Sequence, residues 1–166
     1  LMRAVAARIL AEGARVLIAS CLAETSGSVF HPIATMLRRE LDLEGATIEH
    51  AQAAIRSTME NLGGDVASSL AVATLLAFDQ AQGGSHLLSA AVDRAQAFAL
   101  IAAWIASAAA GRPTLFVVED LHLADPSTLE FLEVVIDQVA GSPCLLLATS
   151  RPGIAPAWSQ RSFAFT

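Results

Sequence analysis

Polar chemistry in this chain gathers where two apolar runs end. Thr114 to Val118 (TLFVV) leads straight into Glu119 and Asp120, and Cys144 to Ala148 (CLLLA) into Thr149, Ser150 and Arg151. A carboxylate at the tip of a buried strand can hold Mg²⁺, usually through water, and so sit opposite nucleotide phosphates. A second, adjacent carboxylate can orient and deprotonate an attacking water. An arginine at the neighbouring tip can neutralise the terminal phosphate. Paired acids also occur as solvated loop residues, and a lone arginine before proline as a surface cation. The residue types therefore need elements that bring them to one edge.

The flanking pattern supplies such elements. Leu1 to Glu12 has apolar residues at 1, 2, 5, 6, 9 and 10, a helical stripe, and Gly13 stands at its C-cap. Arg15 to Ser20 (RVLIAS) is a strand-length apolar run followed by Cys21. From His31 to Gly111 the pattern is helical throughout. Pro32 suits a first turn, Thr47 opens a second segment that ends at Gly63-Gly64, Asp65 caps a third that ends at Gly83-Gly84, and Ser85 caps a fourth. Asp125-Pro126 then starts a helix to about Ala140, with Gly141 beyond it, and Ser162 to Thr166 reads as the start of a further strand. Strands that are continuously apolar, rather than alternating, predict a parallel sheet covered on both faces. In such sheets ligands bind beyond the carboxyl ends of the strands, where both polar clusters fall.

Composition narrows the function further. Of 166 residues, 54% are hydrophobic and 16% charged, and much of the apolar fraction is alanine, a helix former. A net charge of -6 and an isoelectric point near 5.1 oppose binding of a nucleic-acid backbone. Ala95 to Ala110 is the most membrane-like run, but it falls short of the roughly 20 residues a span needs and reads as a buried helix. Cys21 and Cys144 lie in apolar runs without metal-ligand spacing, as buried thiols of a reducing cytoplasm do. His31, His50 and His86 have no matching ligands, so no histidine metal site is expected.

LFVVEDLHLADPSTLEFL, from Leu115 to Leu132, closely resembles the Walker B region of STAND ATPases. These are AAA-like P-loop modules found in LuxR-type transcriptional regulators and beside bacterial adenylate/guanylate cyclase domains. LLLATSRP resembles the strand and arginine sensor of the same group, while EGARVLIASCLAE and FHPIATMLRREL are similar to the segment after its phosphate loop. The resemblance implies an α/β fold of P-loop NTPase type: a three-layer parallel sheet flanked by helices, its first strand absent, with a long all-helical insert. Residues 1–30 would follow the phosphate loop, 31–111 form the insert, and 112–166 carry the Walker B and sensor strands.

The resemblance also implies roles. Glu119 takes the Mg²⁺-associated position, where many relatives have Asp. Asp120 takes the acid that polarises the hydrolytic water. Arg151 takes the sensor of the terminal phosphate, with Thr149 or Ser150 as a polar neighbour. His122 and Asp125 belong to the signature and are read first as loop-ordering and helix-capping residues. ATP and Mg²⁺ are the implied cofactors, and an attached output domain is the implied partner. Nucleotide-dependent self-association is compatible with the resemblance, and neither nucleic acid nor membrane is expected to bind through this domain.

One element of the pattern is missing. A P-loop needs Gly-x-x-x-x-Gly-Lys-Ser/Thr, and all 10 basic residues here are arginine. The motif is expected immediately upstream of Leu1, so the piece alone should bind ATP weakly or not at all. In this family's strand order (fifth, first, fourth, third, second) the three strands present would still be neighbours. The alternative function is a degenerate ATPase-like scaffold or interaction module. An oxidoreductase of Rossmann type lacks its Gly-x-Gly-x-x-Gly after a strand.

Overall fold

The computed structural model describes residues 2–25, 28–78, 91–153 and 156–160. The predicted strand at Ser162 to Thr166, the Gly83-Gly84 terminus and the Ser85 cap lie outside these residues. The described elements run α1 (Met2–Ala11), β1 (Arg15–Ser20), α2 (His31–Glu40), α3 (Ile48–Glu60), α4 (Val66–Phe78), α5 (Ala91–Gly111), β2 (Thr114–Glu119), α6 (Pro126–Gln138) and β3 (Cys144–Ala148), with short 3-10 turns between some of them.

The three strands form one parallel sheet in the order β1-β2-β3, so the strands that follow one another in sequence are also neighbours in space. Register pairs Ser20 with Glu119 and Val118 with Ala148, which aligns all three carboxyl ends on one edge. β2 is central and buried along its length except at Glu119.

The strands alternate between two unequal faces. Leu17, Ala19, Phe116, Val118, Leu146 and Ala148 face the main core with residues from α2 to α6. Its centre is an aromatic cluster in which Phe30 stacks on Phe98 at 5.0 Å, and Phe131 meets their edges at 5.2 and 5.5 Å. Such contacts add about 0.5–1.5 kcal/mol per pair beyond the area they bury, and here they tie the start of α2 to α5 and α6. Phe30 does this from a left-handed backbone (φ 63°), a conformation that costs a bulky residue about 1–3 kcal/mol.

The opposite face carries Leu115, Val117 and Leu145, and the cover on it comes from α1, whose Ile9 shares a cleft with Leu115 and Leu145. Leu145 is 57% exposed. Two-sided cover thus holds for β2 and, among the described residues, fails for β3, because α1 packs chiefly on β1.

Local chemistry accounts for the element ends. Thr47 caps α3 through the amide of His50, Asp65 caps α4 through that of Ser68, and Asp125 caps α6 ahead of Pro126. Hydrogen bonds from Ser68 hold the Asp65 carboxyl below its ordinary range. Gly63 (φ 80°) and the bond from the Gly64 amide to the Met59 carbonyl close α3 with a Schellman turn. A Cβ on Gly64 would meet Leu100 at 3.0 Å, so this glycine also permits the approach of α5. The membrane-like run is longer than its sequence suggests: α5 has 21 residues and is apolar enough to cross a bilayer. Within the fold it packs between α4 and α6, with Phe98, Ile101 and Ile105 buried.

Candidate functional site at the carboxyl edge of the sheet

The two adjacent acids end up in different environments because the backbone changes hand between them. Glu119 is the last residue of β2 and keeps its extended geometry, so its side chain stays half-buried beside β1. There the Ser20 hydroxyl donates to Glu119 Oε2 at 2.9 Å. Asp120 has φ 55° and ψ 46°, a left-handed conformation that Asp tolerates better than most residues. Its side chain is 61% exposed. One carboxylate is therefore anchored and the other is free to reach solvent.

Thr149 braces this turn from β3. Its hydroxyl accepts from the Asp120 amide at 3.0 Å, and its carbonyl accepts from the Leu121 amide at 2.7 Å. The Thr149 amide in turn donates to the Val118 carbonyl at 2.9 Å. These bonds leave the hydroxyl proton of Thr149 available to a ligand. Ser150 and Arg151 follow on the exposed segment leaving β3, and among the described residues Arg151 makes no ion pair. The structure thus brings Glu119, Asp120 and Thr149 together. Ser150 and Arg151 share their edge but make no hydrogen bond or ion pair with the acids among the described residues.

Below the turn, Asp125 is buried and its carboxylate accepts from the amides of Ser127 and Thr128 and from the Thr128 hydroxyl. This confirms its capping role and commits it to structure. Cys21 lies close by, with its amide on the Glu119 carbonyl at 2.9 Å. Burial, then the charges of Asp125 and Asp120, push its thiol up to about 11. Cys144, half-buried, is also raised by burial. His122 is packed rather than hydrogen-bonded: its side chain is 7% exposed, and neither ring nitrogen has a partner among the described residues. Its Nδ1 stands 4.0 Å from Asp120 Oδ1.

Ser20 is the residue that motif reading passed over. Its polar type at the end of an apolar strand is visible in the sequence, but its partnership with Glu119 follows only from the pairing of β1 with β2.

The oxygens at this edge, from Glu119, Asp120, Ser20 and Thr149, are hard donors of the kind Mg²⁺ prefers. No group of three or more His, Cys, Asp or Glu forms a ready-made metal site among the described residues. The donor set suits an ion held by one or two carboxylates and completed by phosphate oxygens and water. An apolar cleft of about 380 Å³, lined by Ile9, Ala14, Thr114, Leu115, Cys144 and Leu145, opens at the opposite, amino-terminal edge of the sheet. Shape and chemistry point to different places here. The acids carry the functional reading, because the cleft offers a ligand hardly any polar group.

Compared with known proteins, the chain matches no family model, no curated protein and no solved structure.

Proposed function

We propose that this chain carries the hydrolysis half of an ATP-dependent switch of the STAND P-loop type, regulating an attached output domain in a signalling protein. The observation that carries the reading is the split between Glu119 and Asp120 at the tip of the central strand. A phosphoryl-transfer site needs one acid fixed near the metal and another able to reach the attacking water. Ser20 fixes the first, and the left-handed turn at Asp120 presents the second.

On this reading Glu119 would hold Mg²⁺ through water, and the ion's contribution is to neutralise charge developing on the phosphates. Asp120 orients the attacking water and accepts its proton. Arg151 reaches the terminal phosphate from the neighbouring tip, with Thr149 and Ser150 beside it. The contiguous order β1-β2-β3 agrees with the order expected for the second, third and fourth strands of that fold. The phosphate loop would come from sequence preceding Leu1, since a chain without lysine cannot contain one.

The test has two steps. The coding sequence for about twenty residues before Leu1 should encode Gly-x-x-x-x-Gly-Lys-Ser/Thr. In the protein so extended, Asp120→Asn should lower kcat for ATP hydrolysis by about 10²- to 10⁴-fold and leave ATP affinity within a few-fold. Equal loss of binding and turnover would refute the role of Asp120. Absence of the motif would instead favour a scaffold that has kept the fold without the chemistry.

A further inference from the structure

His122 presents a problem that the capping and bracing bonds do not solve. A neutral imidazole carries one N–H and one bare nitrogen, and burial without partners disfavours both. Buried polar atoms in folded proteins are nearly always paired, so an unpaired one calls for an explanation. Here both His122 nitrogens are unpartnered among the described residues, inside a side chain only 7% exposed.

A neighbouring carboxylate explains it. Asp120 Oδ1 lies 4.0 Å from His122 Nδ1, about 1 Å beyond hydrogen-bonding distance. The two side chains differ in freedom. The imidazole is walled in, while the carboxylate is 61% exposed and no hydrogen bond from a described residue holds it. Asp120 is therefore the partner with room to close the gap. The Thr149 bonds keep the Asp120 backbone in its left-handed turn meanwhile, so the carboxylate swings about a fixed root.

We infer that His122 is a positioning residue for Asp120: as the Nδ1–H tautomer it donates to the carboxylate and aims its other oxygen outward from the strand tip. This inference rests on the reading of Asp120 as the base that orients water. The pairing also explains why the residue is histidine. A carboxylate tethered at one oxygen keeps the other for water, whereas an arginine fork would engage both. His122 follows Asp120 by two positions, inside the 3-10 turn Leu121–Leu123 that Asp120 opens, and this turn keeps the ring within 4.0 Å of the acid.

The experiment is ¹⁵N NMR of the imidazole rings in the chain itself, without nucleotide, for wild type and Asp120→Ala. Asp120 is exposed, so its truncation leaves the core intact. The expected result is a His122 ring protonated at Nδ1 in wild type, with that signature lost in Asp120→Ala. A ring held as the Nε2–H tautomer in wild type, or an Nδ1–H signature unchanged by Asp120→Ala, would overturn the inference. Because this reading needs no nucleotide, an extended protein that carries the phosphate loop and hydrolyses nothing would sink the ATPase proposal without touching the pairing. In a hydrolysing extended protein, His122→Ala should lower kcat about 10- to 100-fold at unchanged KM, and His122→Asn, which keeps a donor near Nδ1, should recover most of it. Equal losses in Ala and Asn variants would count against positioning.

Discussion

Replacing Asp125 by alanine tests whether the acid-bearing loop is held from below, as the hydrogen bonds indicate. Asp125 is 6% exposed and its carboxylate accepts three hydrogen bonds, from the amides of Ser127 and Thr128 and from the Thr128 hydroxyl. Losing the helix cap costs about 0.5–2 kcal/mol. The Thr128 hydroxyl, fully buried, then loses its acceptor, which costs about 1–3 kcal/mol more. The sum is about 1.5–5 kcal/mol. With a urea m-value of about 2 kcal/mol/M, the unfolding midpoint should fall by about 0.8–2.5 M. Asp125→Asn keeps an acceptor for the amides and should lose less than half as much. The decisive comparison adds Thr128→Val. In wild type it should destabilise by about 1 kcal/mol, but in the Asp125→Ala background it should be neutral or stabilising, since it removes the orphaned hydroxyl. Additive losses, or a midpoint shift below about 0.3 M for Asp125→Ala, would refute the reasoning.

Other outcomes follow from the same geometry. At pH 8 a thiol raised to about 11 has a thiolate fraction about a hundredfold below that of an ordinary cysteine, so Cys21 should be alkylated about a hundredfold more slowly than a peptide thiol. Its folded pKa lies above the unfolded one, so its contribution is complete below pH 9 and is lost as pH rises toward 11; urea midpoints measured across that interval should fall. At the left-handed position 120, glycine fits without strain and alanine does not, so Asp120→Gly should be more stable than Asp120→Ala by about 1 kcal/mol in urea titrations. Leu145→Ala, on the open face, should cost under about 1 kcal/mol, while Leu146→Ala, one residue on and facing the core, should cost about 2 kcal/mol or more.

Much of the fold was legible because its signals are local. A five- or six-residue apolar run bounded by Gly13 or Pro143 on one side and polar residues on the other has few alternatives to a buried strand, and β1, β2 and β3 fall within a residue of their expected limits. The caps at Thr47, Asp65 and Asp125 were visible for the same reason, since each oxygen reaches an amide two or three residues ahead. Cover on the second face of the sheet was less legible. Leu145 and Leu146 are the same residue type, and only the pairing of β3 with β2 shows which of them turns away from the core. Ser20 escaped notice for a related reason: its meaning depends on Glu119, 99 positions away, through a register that no short motif encodes. The exposure of Arg151 was equally silent, because the sequence shows that it follows a strand but not that its guanidinium has no ion-pair partner among the described residues.

The division between Glu119 and Asp120 belongs to neither residue alone. In a regular strand, consecutive side chains point to opposite faces, so two adjacent acids on a buried strand would send at least one carboxylate into apolar packing. Ending the strand at Glu119 and turning the backbone left-handed at Asp120 avoids that burial, and the turn is sustained by Thr149 on the neighbouring strand. Strain at Asp120, of about 1–2 kcal/mol, is therefore offset by bonds that run between β2 and β3. It follows that the reach of the second acid depends on the register of those two strands. A perturbation that shifts β3, whose outer edge has no partner among the described residues, would move Asp120 before it moved Glu119, because Glu119 is tied instead to Ser20 on the opposite neighbour. If nucleotide regulates this chain as proposed, β3 is the strand through which a change in sheet geometry would reach Asp120.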